Sequence, residues 1–100
     1  MNRDDAIKAL AECRILIDAV DRRIISLINE RSRVVEEIGR IKRAARLPIY
    51  EPRREDEVYR NVVENNEGPL AEDAVRRIFE RIIDEMRHLQ RTRMEENGDK

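Results

Sequence analysis

The 100-residue sequence is long enough for one domain, and its 21 Lys+Arg against 22 Asp+Glu leave a net charge of -1 in a chain that is 43% charged. That balance argues against any overall field drawing the chain to nucleic acid or an anionic membrane, and no Trp, one Phe and two Tyr are too few rings for a base-stacking surface. Cys13, the sole cysteine, rules out an intrachain disulfide or a cysteine-rich zinc site and suits a reducing cytoplasm.

From Asp4 or Asp5 to about Arg46 there is no proline, Gly39 is the sole glycine, and apolar residues recur at helical spacing. The pattern predicts one helix of roughly 40 residues, about 60 Å long. LPIYEP ends it: Pro48 disfavours helix at Leu47, Pro52 suits the first turn of a second helix, and Glu51 is placed to cap that helix. The second helix is predicted to run to about Asn66, where NNEGPL supplies a stop and turn. A third follows, with Val75, Phe79, Ile82, Ile83, Met86 and Leu89 on one side, and fades into a polar tail from about residue 92. Nothing reads as a strand, so the expected architecture is all-α, three helices in a single domain over residues 1–100. With no run of about 18 apolar residues and no uninterrupted apolar stretch in MNRDDAIKAL, a soluble cytoplasmic protein is expected.

A 60 Å helix exceeds what a globule of this length hides, since its radius of gyration is near 13 Å. Two shorter helices leave much of its apolar stripe uncovered, and a second copy of the chain is the simplest cover. Stepping by alternate fours and threes from Leu10 gives Leu10, Arg14, Ile17, Asp21, Ile24, Ile28, Arg31, Val35, Ile38 and Lys42, a seam in which apolar residues alternate with charges. A buried cation costs several kcal/mol unless it is paired, hydrated or facing an anion. Asp21 has Arg14, Arg22 and Arg23 close in sequence as partners. For each cation alone, an extended stem with its head in water is as good a reading as an anion site; three on one seam favour the anion site. Arg31 and Lys42 project from nearly the same side about 16 Å apart, whereas Arg14 lies about 26 Å from Arg31 and serves such a site only from a partner chain.

On the second helix Glu51, Arg54 and Glu55 share the face that continues as Val58 and Val62, and an ordinary intrahelical pair of Arg54 or Glu55 with Glu51 explains them when they are taken alone. Gln90 ends the stripe of the third helix, where a solvated side chain is the plain expectation. Gly39 costs about 1 kcal/mol against Ala in a helix interior, which implies a close neighbour or a ligand there. His88 is expected to face outward with Arg81 and Glu85, and no second His or Cys makes a metal site with it.

Arg14 in the first turns, Asp21, Glu30-Arg31, the G-x-x-K of Gly39 to Lys42, the P-R-R-E of Pro52 to Glu55 and the terminal Gln90 together resemble the all-helical chorismate mutases, over about Leu10 to Gln90. The resemblance implies an intertwined homodimer with two shared active sites that converts chorismate to prephenate in Phe/Tyr biosynthesis, with no cofactor, metal or covalent intermediate. It implies that Arg31 and the partner chain's Arg14 hold the two carboxylates of a small dianionic substrate. By the same resemblance, Lys42 and Gln90 donate to the ether oxygen whose bond breaks, Glu55 accepts from the ring hydroxyl assisted by backbone near Glu51, and Arg54 adds positive potential. The sequence departs from the family pattern in two places: Glu51 stands where a shorter Asp is common, and Met86 where a Ser often touches substrate. Isochorismate pyruvate lyase chemistry on the same scaffold, a non-catalytic helical dimerisation or regulatory module and, weakest, a helical DNA-binding dimer are the competing readings.

Overall fold

In the computed structural model, the backbone is described for residues 1–98 and side chains for residues 1–93. Three helices follow one another: α1 (Arg3–Ala44), α2 (Pro52–Glu64) and α3 (Glu72–Gly98). No strand occurs among the described residues. The expected all-α, three-helix chain is therefore what forms, and α1 at 42 residues has the expected length. Among the described residues no helix is long and apolar enough to cross a membrane.

The chain divides into two compact units, residues 1–33 and Val34 onward. The first contains only helical α1 sequence and its two leading residues, and none of its residues is buried. Ile7, Leu10, Ile17 and Ile24 are each about half exposed (54%, 52%, 58% and 47%). Of the partners expected for Asp21, none forms an ion pair with it among the described residues. The second unit holds the small core: Val75, Ile83 and Met86 of α3 are buried, with Phe79, Ile82 and Leu89 half-buried along the same stripe. That stripe packs on α2, where Val58, Val62 and Val63 are half-buried.

The end of α1 sets the course of the chain into α2. Arg46 adopts a left-handed conformation (φ 56°), the Leu47 amide donates to the Lys42 carbonyl at 2.7 Å, and the Arg46 amide donates to the Arg43 carbonyl at 3.2 Å. This is a Schellman closure with arginine where glycine is usual. It ends α1 at Ala44, two residues before the expected boundary, and turns the chain back so that Pro48, Ile49 and Tyr50 return past the last turn of the helix. A side chain in that region costs roughly 1–2 kcal/mol, partly offset in a glycine variant by greater freedom of the unfolded chain. Arg46→Gly is accordingly expected to stabilise the protein by about 0.5–1 kcal/mol, measured as a raised midpoint in thermal unfolding; an unchanged or lowered midpoint would mean that the arginine has compensating contacts.

α2 begins with Pro52 at its first position, as expected, but Glu51 makes no side-chain cap. Its carboxylate is drawn instead to Lys42. At the other end, Asn65 caps α2, and the Asn65 side-chain amide donates to the Asn61 carbonyl at 2.8 Å. The turn after it is tied by the Asn66 side chain, which accepts from the Gly68 amide at 3.0 Å and donates to the Leu70 carbonyl at 2.8 Å. Gly68, at φ 80°, is the position that needs glycine. α3 continues through Gly98, so its helix runs on into the polar stretch from about residue 92, where no proline interrupts it. Residues 99 and 100 of the expected tail lie outside the described residues.

Candidate active site

The second unit engages five of its polar side chains, Lys42, Glu51, Glu55, Arg87 and Gln90, in contacts between elements. On α1, Val35, Gly39 and Lys42 share a face by their spacing of four and three. Lys42 is buried at 9% exposure. Its ammonium donates to the Ile49 carbonyl at 3.0 Å and pairs with the Glu51 carboxylate at 2.5 Å. The Schellman turn is what makes this reachable, since it returns residues 49–51 to the turn of α1 that carries Lys42. The lysine is thus neither a hydrated head at the edge of a seam nor an unpaired buried charge.

Gln90 of α3 meets the same face of α1. It is 7% exposed, and its amide nitrogen donates to the Val35 carbonyl at 3.2 Å. Position alone, at the end of an apolar stripe, predicts a solvated glutamine; here it is part of the packed interior. Gly39 lies against it, and a Cβ on Gly39 would stand 3.6 Å from the Gln90 Cγ. The neighbour that Gly39 accommodates is therefore a side chain of α3. An alanine would meet it at ordinary van der Waals distance, so clearance alone does not require glycine there.

Glu55, one turn along α2 from Glu51, is 19% exposed at its side chain and pairs with Arg87 of α3 at 3.1 Å. Arg87 precedes Gln90 by three residues, on the same face of α3. Three tertiary contacts result: Lys42 with Ile49 and Glu51, Glu55 with Arg87, and Gln90 with the Val35–Gly39 turn below Lys42. Tyr59 borders this cluster, and its hydroxyl is pushed above the usual tyrosine range by burial first and then by Glu80, Glu55 and Asp84; it remains a neutral group at physiological pH.

Arg54 is exposed and pairs with Glu57 at 3.1 Å, so the intrahelical pair of α2 does form, but with a different acid from Glu51 or Glu55. Such an exposed pair contributes little to stability. Arg14 and Arg31 belong to the first unit, Arg14 exposed and Arg31 half-buried. Met86 is in the core at 6% exposure, so the residue at this departure from the family pattern serves packing. His88 is exposed beside the Arg81–Glu85 pair, as expected. Among the described residues no group of three or more His, Cys, Asp or Glu is placed to hold a metal.

Sequence reading missed Arg87, together with the Ile49 and Val35 carbonyls. The carbonyls leave no trace in residue type. Arg87 does leave one: it falls four after Ile83 and three before Gln90, a cation on the apolar stripe of α3, the same anomaly that marks Arg31 and Lys42 on α1.

The chain is thus all-helical, with a buried, charge-compensated ammonium and a buried amide on adjoining helix faces. The family model for chorismate mutase type II matches residues 13–91, and the chain belongs to that family. It is 33% identical to the chorismate mutase of Methanocaldococcus jannaschii over 94% of this chain and 96% of that protein. It is 38% identical to the bifunctional chorismate mutase/prephenate dehydratase of Stutzerimonas stutzeri over 83% of this chain but 23% of that protein. The chain thus spans about a quarter of the length of such bifunctional relatives. Among solved structures, chorismate mutase (form II) of Thermus thermophilus superposes with a TM-score of 0.78 at 36% identity, covering 86% of this chain and 94% of that one.

Proposed function

We propose that this protein is a chorismate mutase acting as a cytoplasmic homodimer: it rearranges chorismate to prephenate in Phe/Tyr biosynthesis, using no cofactor. The observation that carries the reading is the pairing of Lys42 and Gln90, both buried, on faces of α1 and α3 that meet at Gly39. In the rearrangement the ether C–O bond breaks as a C–C bond forms within the same molecule, and negative charge grows on the ether oxygen. A fixed ammonium and a fixed amide N–H aimed at that oxygen bind the transition state better than the ground state. Lys42 has three N–H donors, of which Ile49 and Glu51 engage two; Gln90 has two, of which Val35 engages one. Each therefore retains a donor for substrate while being held in place by the protein.

Charge bookkeeping supports the rest of the proposed substrate contacts. In this cluster Lys42 and Arg87 face Glu51, Glu55 and Asp84, leaving no net positive charge for a dianion. Arg31, Arg54 and the partner's Arg14 supply it, with the two seam arginines holding the carboxylates by paired hydrogen bonds. Glu55 accepts from the ring hydroxyl. The exposed apolar residues of α1 and the small core of the second unit support a partner chain along that helix.

The test is direct. Purified protein is expected to consume chorismate and yield prephenate as the sole product, with no pyruvate released from isochorismate. Release of pyruvate and salicylate would assign the lyase reaction instead, and inertness toward both substrates would reduce the chain to a helical dimerisation module.

A further inference from the structure

We propose that Arg87 is a positioning residue: it fixes the Glu55 carboxylate for recognition of the substrate's ring hydroxyl, and so helps to select substrates that carry one. The inference rests on the reading of Glu55 as the hydroxyl acceptor. Three observations lead to it. The same terminal nitrogen, Nη2, of Arg87 bridges two carboxylates, Glu55 of α2 at 3.1 Å and Asp84 of α3 at 2.8 Å. The guanidinium carbon lies 5.8 Å from the centroid of the Tyr50 ring, within cation–π range. Finally, Arg87 Nε is buried and finds no hydrogen-bond partner.

Unmade hydrogen bonds of buried donors are expensive, so a guanidinium that leaves one unmade is held where it is by its other contacts. Asp84 sets the arginine from its own helix, one turn back, and Tyr50 covers it from the returning segment. What emerges is a guanidinium nitrogen held at a defined point, 3.1 Å from the Glu55 carboxylate. Glu55 belongs to α2, and without this tether its three side-chain torsions would let the carboxylate swing among rotamers. Tyr50 also sits between Ile49 and Glu51, the two residues that hold Lys42. One short segment therefore stations both the ammonium for the ether oxygen and the arginine behind the hydroxyl acceptor.

The experiment compares chorismate with an analogue whose ring hydroxyl is replaced by hydrogen, in the wild type and in Glu55→Gln, Arg87→Met, Arg87→Lys and Glu55→Gln/Arg87→Met variants. Arg87→Met is expected to lower kcat/KM for chorismate about tenfold, the size of effect a misplaced charge-assisted hydrogen bond produces. It should leave the deoxy analogue within about twofold, and the double variant should be no worse than Glu55→Gln alone, because both changes disable one unit. Arg87→Lys, which keeps the charge but not the planar group over Tyr50, should fall between wild type and Arg87→Met on chorismate only, and carries the test if the methionine variant does not fold. Equal losses on both substrates would make Arg87 merely structural and overturn the proposal while leaving Glu55 as the acceptor. If Glu55→Gln itself fails to discriminate the two substrates, the reading of Glu55 falls, and the role of Arg87 with it.

Discussion

Replacing Lys42 by methionine is expected to lower kcat/KM for chorismate by about 10²–10³-fold, the range found when a preorganised donor to a developing oxyanion is removed. The loss should appear in kcat, since the contact with the ether oxygen strengthens as the C–O bond breaks; a rise in KM alone would mean that the ammonium binds substrate and transition state equally. The fold should tolerate the change. Methionine preserves most of the lysine stem, and Glu51 is 47% exposed at its side chain, so its carboxylate remains hydrated when its partner is gone. The main structural cost is the Ile49 carbonyl, which loses a donor, about 1–3 kcal/mol if it stays unsatisfied. Circular dichroism and a thermal melt beside a chorismate consumption assay separate the two effects. A folded variant with wild-type kcat would make Lys42 a device for anchoring the turn after α1 and nothing more.

The contrast between Lys42 and Glu51 shows how far the sequence could be read. The helices were legible because proline, glycine and asparagine sit where the chain must turn, and the boundaries moved by two residues at the ends of α1 and α2, where the last turn is decided by capping bonds. Lys42 was legible as an anomaly, a cation on an apolar seam. Glu51 was not: one residue before Pro52 it reads as a helix cap, and only the Schellman turn at Arg46, with an arginine in place of the usual glycine, carries its carboxylate back to Lys42 instead. For Gln90, family resemblance implies a donor and position along the helix implies a solvated side chain. The side chain is buried, and that burial was not legible because it depends on α3 meeting α1 at Gly39, a contact between residues far apart in sequence. Arg87 escaped because its partner Glu55 lies on another helix, a pairing that spacing along α3 does not show.

Mixing two inactive variants is expected to restore activity, a consequence of the length of α1. Arg14 lies 17 residues before Arg31 on one continuous helix, about 26 Å along its axis, too far for both side chains to hold one small dianion from a single chain. The charged cluster of the second unit carries no net positive charge, so the proposed dianion needs those arginines, and the proposed site takes Arg31 from one chain and Arg14 from the other. Arg14→Ala and Lys42→Ala should each lose most of their activity as homodimers, because every site then lacks one group. In a heterodimer of the two, one site takes Arg14 from the Lys42→Ala chain and Lys42 from the Arg14→Ala chain and is whole; the other lacks both. Random pairing makes half of the dimers mixed, with one working site in two, so about a quarter of wild-type activity should return after the variants are unfolded together and refolded. Differently tagged chains allow the mixed dimer to be isolated, where the figure should rise to about half. Verified heterodimers without recovery would mean that Arg14 serves its own chain or no site at all, and the shared-site arrangement would have to be abandoned even if the homodimer itself is sound.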